Sequence, residues 1–152
     1  MSRAAQDQNL HLDDYFPYLL NRAGSRIAEA FSAETRRRGV SLQMWRVLAA
    51  VNDRGPLRMG ELSEATSIEG STLTRLVQQM ERKGLVERVR RDADQRVVRV
   101  VRTDAGRRIA AELIPLAMDY EARALEGLGA EEVARLKTLL RRVYANMDRQ
   151  AR

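Results

Sequence analysis

The chain contains no cysteine and a single histidine, His11, among its 152 residues. Without cysteine it can form no disulfide, iron–sulfur cluster or cysteine-ligated zinc site, and it has no thiol nucleophile or thiol redox switch. One histidine also excludes a histidine-rich metal site. We therefore expect neither a metal nor a cofactor.

A long hydrophobic run is missing as well. The start, MSRAAQDQNLHLDD, has no apolar segment of the kind found in signal peptides, and the uncharged stretches elsewhere fall far short of the ~20 apolar residues that span a membrane. We expect a cytoplasmic protein that is neither secreted nor membrane-bound. At this length a single domain over residues 1–152, with an ordinary core, is the expected organisation.

The residue groupings that indicate catalysis are also lacking. The glycines stand singly at predicted helix ends, so there is no glycine-rich phosphate-binding loop. Glu61, Glu64 and Glu69 lie near one another in sequence, but no nucleophile, histidine or metal-binding partner accompanies them. The sequence therefore predicts a protein that is not an enzyme.

Lysine is scarce, and the positive excess is almost entirely arginine. The chain has 27 basic and 21 acidic residues, for a net charge of +6. From Arg75 to Arg102, nine basic residues face only four acidic ones. Because arginine binds phosphate through two parallel hydrogen bonds, this cluster favours a polyanionic partner. The alternative is a solvated basic face.

Apolar residues recur at helical spacing over the first half of the chain. This spacing predicts a long helix over about residues 11–37, and a second helix that begins after an N-cap at Ser41 and ends at Gly55-Pro56. A short third helix is predicted from Arg58 to Ala65. A fourth is predicted to run to Lys83 from an N-cap at Ser67.

The period changes after the fourth helix. Two arginine-rich runs of β-branched residues, Leu85 to Arg91 and Arg96 to Thr103, predict a two-stranded β-hairpin. Thr103 is the expected N-cap of a long fifth helix that Pro115 should kink, and a sixth helix follows Gly127. The predicted fold class is mainly α with a small β-hairpin wing.

The fourth helix has two different faces. One is apolar, whereas the other holds only hydroxyl, amide and guanidinium groups, which is unlike the mixed glutamate and lysine of most solvated faces. A helix of this size fits the major groove of DNA, where arginine and glutamine pair with base edges, and a basic hairpin can place an arginine on the backbone or in the minor groove. A merely solvated face remains the alternative.

The order and spacing of these motifs resemble the MarR family of bacterial transcriptional regulators, which are winged helix-turn-helix dimers. The resemblance extends over Leu57–Leu62, Gly70–Val77, Glu81–Arg88, Arg91–Arg96 and Thr103–Gly106. It implies a winged helix-turn-helix unit over residues 40–103, flanked by dimerisation helices over residues 10–38 and 104–150.

Carried over by position, the resemblance implies that the fourth helix is the recognition helix. The implied DNA-binding residues are Ser71, Thr72, Thr74, Arg75, Gln78, Gln79, Arg91, Asp94 and Arg96. Arg96 would be the wing-tip arginine in the minor groove, and Asp94 would fix the wing. The alternative role of Arg91 and Arg96 is salt bridging within the turn. Arg102 stands where the family usually has leucine, so it is expected to form an ion pair or to extend the basic surface.

The function implied is that of a homodimeric repressor that binds a promoter inverted repeat and is released by a small aromatic or phenolic carboxylate. An arginine fork and aromatic stacking would hold such a ligand. The candidate effector-binding residues are His11, Tyr15, Tyr18, Arg22, Trp45 and Arg46. Each of them has an ordinary packing or surface role as its alternative. A DNA-binding architectural factor without effector and a winged-helix protein-interaction module remain open as other functions.

Overall fold

The computed structural model describes residues 10–90 and 97–150, with no side-chain description for Gln150. Three of the predicted DNA-binding residues, Arg91, Asp94 and Arg96, lie outside the described residues.

Within the described ranges the chain forms six α-helices and three short β-strands. The helices are α1 Phe16–Arg37, α2 Leu42–Arg54, α3 Met59–Thr66, α4 Gly70–Arg82, α5 Asp104–Ala124 and α6 Ala130–Gln150. The strands are β1 Leu57–Arg58, β2 Val86–Val89 and β3 Arg99–Arg102. The fold is therefore mainly α with a small β-sheet, as predicted.

Two of the three predicted N-caps are confirmed. The hydroxyl of Ser41 accepts a hydrogen bond from the backbone N–H of Met44 at 3.1 Å, and the hydroxyl of Thr103 accepts one from Gly106 at 3.1 Å. The N-cap predicted at Ser67 is wrong. Ser67 instead ends α3 in the left-handed conformation, at a φ of 55°, and Glu69 is the N-cap of α4.

The first helix begins at Phe16 rather than near residue 11. A 3-10 turn over Leu12–Asp14 precedes it, and Tyr15 is its N-cap. Pro17 lies in its first turn, where an absent N–H costs nothing because that group would have no partner within the helix.

The sheet has three antiparallel strands in the order β1-β3-β2, so the prediction of a two-stranded hairpin is incomplete. Leu57 in β1 pairs with Val100 in β3, and Val86 in β2 pairs with Arg102. The two-residue strand β1 escaped prediction because it is too short to show an alternating pattern. It ties the start of α3 to the wing.

The core lies between α2, α3, α4, the sheet and α5. Its largest fully buried side chains include Leu48, Leu62, Leu73, Met80 and Leu113. The last residue of α3, Thr66, and Ile68 in the turn that follows it are also buried. The hydroxyl of Thr66 donates to the carbonyl oxygen of Leu62 at 2.7 Å, which satisfies it inside the core.

The terminal helices are packed much less completely. Of the α6 side chains that the structure describes, none is buried, and Leu139, Tyr144 and Met147 are 48%, 60% and 61% exposed.

Pro115 lies within α5, which runs without interruption from Asp104 to Ala124, so the kink remains a prediction. Among the described residues no helix is both long and apolar enough to cross a membrane.

Candidate nucleic-acid interface and interhelical cavity

Helix α4 separates its two faces as the sequence predicts. Its apolar stripe is buried in the core, where it holds the helix against α2 and α3. All six predicted DNA-binding residues of the helix are exposed on the other side: Ser71, Thr72, Thr74, Arg75, Gln78 and Gln79. The core thus fixes this helix and turns one polar face to solvent.

The three hydroxyl groups of this face already donate hydrogen bonds within the chain. Ser71 Oγ donates to Glu69 Oε2 at 2.5 Å, and Thr72 Oγ1 donates to the same atom at 3.3 Å. Thr74 Oγ1 donates to the carbonyl oxygen of Gly70 at 2.9 Å. While these bonds persist, the hydroxyls can offer an approaching molecule only acceptor lone pairs.

The three longer side chains among these six residues have no partner within the described chain. Arg75, Gln78 and Gln79 form no hydrogen bond or ion pair with any described residue. These three side chains are the ones whose forked or paired polar groups match guanine and adenine edges in the major groove. They therefore make up the part of α4 that is available for direct base contacts.

Sequence reasoning did not assign a site role to Glu69. Its side chain accepts hydrogen bonds from the backbone N–H groups of Ser71 and Thr72 at 3.1 and 3.3 Å. Hydrogen bonds lower the pKa of Glu69 to about 2. The bond from the Ser71 hydroxyl contributes most, and the two backbone N–H groups contribute next. The sequence signal was an acid directly before the first turn of a helix.

Both ends of the wing base contact α4 or the turn that follows it. Arg88 Nη2 lies 2.8 Å from Glu81 Oε2, which joins β2 to the last turn of α4. Thr103 Oγ1 donates to the carbonyl oxygen of Gly84 at 2.6 Å, which joins the end of β3 to the turn after α4. These two contacts hold the base of the wing against the C-terminal end of α4.

Arg102 forms a contact that the sequence did not indicate. Its guanidinium donates a hydrogen bond to the side-chain oxygen of Asn52 at the end of α2. Burial lowers the pKa of Arg102, and repulsion from Arg107 lowers it further. Where the MarR family usually has leucine, this chain therefore has an arginine. Its partly buried guanidinium bonds to the side-chain amide of Asn52 on α2.

A cavity of about 430 Å³ lies between α1, α2, α5 and α6. Two of the six predicted effector-binding residues, Trp45 and Arg46, line it. His11, Tyr15, Tyr18 and Arg22 do not line this cavity in the single chain. The guanidinium of Arg22 lies 5.4 Å from the ring centre of Tyr18, so these two side chains contact each other.

Besides Trp45, two aromatic residues that the sequence did not single out line the cavity, Phe31 and Tyr120. Phe31 makes edge-to-face contacts with Trp45 and Tyr120, with ring centres 5.7 and 5.6 Å apart. Lys137 on α6 forms an ion pair with Glu121 on α5 at the same cavity. Arg46 has no ionic partner among the described residues, so it is the cation available to an acidic ligand.

Comparison with known proteins finds a family model and similar transcriptional regulators. A family model described as the MarR family matches residues 38–97. The HTH-type transcriptional repressor IacR of Pseudomonas putida is 26% identical over 136 residues, which span 90% of this chain and 81% of IacR.

Solved structures match over nearly the whole chain. The MarR family transcriptional regulator SPO1453 from Silicibacter pomeroyi DSS-3 is 34% identical with a TM-score of 0.77, over 91% of this chain and 99% of that one. BpsR from Bordetella bronchiseptica, solved to explain regulation of its DNA binding by 6-hydroxynicotinic acid, is 25% identical with a TM-score of 0.78, over 89% and 96% of the two chains. By sequence and by fold, this chain belongs to the MarR family of DNA-binding transcriptional regulators.

Proposed function

We propose that this protein is a homodimeric repressor that binds a promoter inverted repeat and is released by a small aromatic carboxylate. The observation that supports DNA readout most directly is the exposed face of α4, on which Arg75, Gln78 and Gln79 have no partner within the described chain. In the major groove these side chains would contact base edges. Arg91 and Arg96 would bind the backbone and the minor groove, with Asp94 fixing the wing.

The apolar surface that one chain leaves exposed supports the proposed dimer. α6 presents Leu139, Tyr144 and Met147, and the start of α1 presents Phe16 and Leu19. A second copy related by a two-fold axis would cover both helices, because a two-fold interface uses the same patch twice. The two recognition helices of this dimer would then contact half-sites about 34–36 Å apart.

The cavity suits an aromatic acid. Trp45 and Tyr120 supply flat apolar surface, and the uncommitted Arg46 supplies a charge-assisted fork for a carboxylate. BpsR responds to an aromatic carboxylic acid, 6-hydroxynicotinic acid. Four helices line the cavity. One of them, α2, packs on α3 and α4, whereas α1, α5 and α6 lie outside the winged helix-turn-helix unit of residues 40–103.

Release of the protein from DNA would follow from the position of the cavity between these two parts of the fold. A ligand that separates α2 from α1 and α5 changes where α4 lies relative to its counterpart in the dimer. Each good bidentate base contact is worth about 1–3 kcal/mol, so loss of register in one half-site reduces affinity strongly.

DNA binding is tested by fluorescence anisotropy on the DNA upstream of the protein's own gene and on a scrambled duplex, over a salt series. We expect preference for the native duplex and a fall in affinity of about 10³–10⁵ between ~50 and ~200 mM salt, as for 6–10 phosphate contacts. Arg75→Ala should lower specific affinity by a factor of about 5–150, equivalent to ~1–3 kcal/mol.

Arg26→Ala is the matched control, because Arg26 is an exposed arginine of α1 whose ion pair with Glu29 is also exposed. It should bind like the wild type. Weak binding without sequence preference by the wild type would contradict the repressor function and favour a protein-interaction module.

Release is tested by adding 6-hydroxynicotinic acid or benzoate to the preformed DNA complex. We expect one of these acids to lower the anisotropy and to raise the melting temperature of the free protein, since a ligand at ~100 times its Kd stabilises by about 2.7 kcal/mol. Arg46→Ala should abolish both effects, whereas Arg36→Ala, at the end of α1 and outside the cavity, should keep them. Equal responses of the Arg46 variant and the wild type would place the ligand elsewhere.

A further inference from the structure

The carboxylate of Glu69 lies at the N-terminal end of α4 and is held in a fixed position. Oε2 accepts hydrogen bonds from the hydroxyls of Ser71 and Thr72 and from the backbone N–H of Thr72. Oε1 accepts from a single donor, the backbone N–H of Ser71 at 3.1 Å. The residue itself is exposed, and Oε1 has acceptor capacity that no described donor uses.

This position matters because the N-terminal residues of a recognition helix contact base edges in the major groove. Hydrogen bonds from Ser71 and Thr72 hold the pKa of Glu69 at about 2, so the group is ionised wherever the protein binds DNA. An ionised carboxylate only accepts hydrogen bonds. Near DNA, phosphates and base acceptors repel this carboxylate, and only a base donor can form a further hydrogen bond with it.

The major-groove edges narrow the choice of base. Guanine presents two acceptors, and thymine presents one acceptor and a methyl group. Adenine has an amino donor, but the acceptor N7 lies beside it and repels a carboxylate. Cytosine presents the N4 amino donor without a neighbouring acceptor, and glutamate accepts from this group in known complexes.

We propose that Glu69 is a specificity-determining residue that selects cytosine at one position of each half-site, by accepting a hydrogen bond from the N4 amino group. The inference rests on the proposed placement of α4 in the major groove. It also explains why a glutamate caps α4, although serine, threonine, aspartate and asparagine are the preferred N-cap residues.

A cost in non-specific affinity follows from the same contact. The first N–H groups of a helix are an anion site that phosphates use, and in α4 two of them already bind Glu69. The wild type should therefore bind scrambled DNA more weakly than a variant without this charge.

The test is selection of binding sites from a pool of random duplexes by the wild type, Glu69→Gln and Glu69→Asp in parallel. We expect the wild type to enrich an inverted repeat with one cytosine per half-site that Glu69→Gln no longer enriches, while the other positions stay the same. Replacing that base pair should then weaken the wild type about fivefold or more and leave Glu69→Gln nearly unchanged. Glu69→Gln should also bind scrambled DNA more tightly.

Glu69→Asp separates base contact from capping. Aspartate keeps the charge and is a better N-cap, but its shorter side chain withdraws the carboxylate from the groove. We expect a melting temperature at least equal to that of the wild type, together with loss of the cytosine preference. Glu64→Gln is the matched control for lost charge, since Glu64 is an exposed glutamate on α3, and it should enrich the wild-type sequence.

Identical sequences enriched by the wild type and both Glu69 variants would overturn the inference and leave Glu69 as a helix cap. If the wild type enriches no sequence at all, the proposed function fails, and this inference fails with it.

Discussion

Gly106 is required by the way the first turn of α5 meets the start of the wing. A Cβ atom at this position would lie 2.0 Å from the carbonyl oxygen of Leu85 and 3.3 Å from Leu48 Cδ2. The backbone N–H of Thr103 donates to the same Leu85 carbonyl at 3.1 Å. The segment Thr103–Gly106, over which the chain resembles the MarR family, thus has a physical basis: Thr103 caps the helix, and Gly106 lets the helix approach the strand.

We therefore predict that Gly106→Ala destabilises the fold. The added methyl group meets backbone that cannot move away easily, so the expected cost is about 1–3 kcal/mol or more. Thermal unfolding followed by circular dichroism measures it, and the midpoint should fall by about 2–4 °C per kcal/mol.

Gly60→Ala is the matched control, because open space surrounds Gly60 in the first turn of α3. It should leave the midpoint unchanged or raise it slightly, since alanine loses less conformational entropy on folding. A midpoint for Gly106→Ala equal to that of the wild type would show that α5 can move away from the strand without cost.

At the scale of elements, the sequence predicted helices better than their connections. Ser41 and Thr103 were identifiable as N-caps because a single hydroxyl before an apolar periodic run is a local signal. Ser67 was the wrong choice, because Ile68 after it is buried and the chain must turn at Ser67 to bury it. Burial of that kind depends on tertiary packing, which local propensity does not contain.

The sheet shows the same limit. Strand β1 pairs with β3 across about forty intervening residues, and two residues carry no period that a sequence pattern could reveal. The contact between Arg102 and Asn52 is equally non-local, since it brings the wing beside the end of α2. Long-range pairing, rather than composition, fixes both features.

The candidate DNA interface was largely predictable, because amphipathic spacing places five of the six polar residues of α4 away from the core, and the family resemblance adds Thr74. The hydrogen bonds from Ser71 and Thr72 to Glu69 were not, because they depend on where one carboxylate points. The roles assigned to the wing residues Arg91, Asp94 and Arg96 remain predictions.

At the scale of the whole molecule, the cavity could be only partly predicted because it joins four helices that are distant in sequence. Trp45 and Arg46 were identifiable from their residue types, whereas Phe31 and Tyr120 resemble ordinary core residues until the fold brings them together. Any effector role of His11, Tyr15, Tyr18 and Arg22 would need an arrangement beyond the single chain described.

The exposed apolar face of α6 leads to a prediction about assembly. Leu139 is 48% exposed in the single chain, and a dimer would bury it against its copy. A charge there would have to be desolvated, so Leu139→Glu should convert a dimer into a monomer with the 17.3 kDa mass of one chain. Light scattering after size-exclusion chromatography measures this mass, and affinity for a two-half-site duplex should fall with it, because each monomer then binds alone.

Thr138→Glu provides the control, since Thr138 precedes Leu139 directly but lies on the opposite, polar face of α6 by helical spacing. It adds the same charge to the same turn, and it should leave both the dimer mass and the DNA affinity unchanged. If both variants remain dimeric, the apolar face of α6 is irrelevant to assembly and the dimer must form elsewhere. If only Leu139→Glu becomes monomeric and it still binds a single half-site, its loss of affinity for the two-half-site duplex measures how much the pairing of two recognition helices contributes to DNA binding.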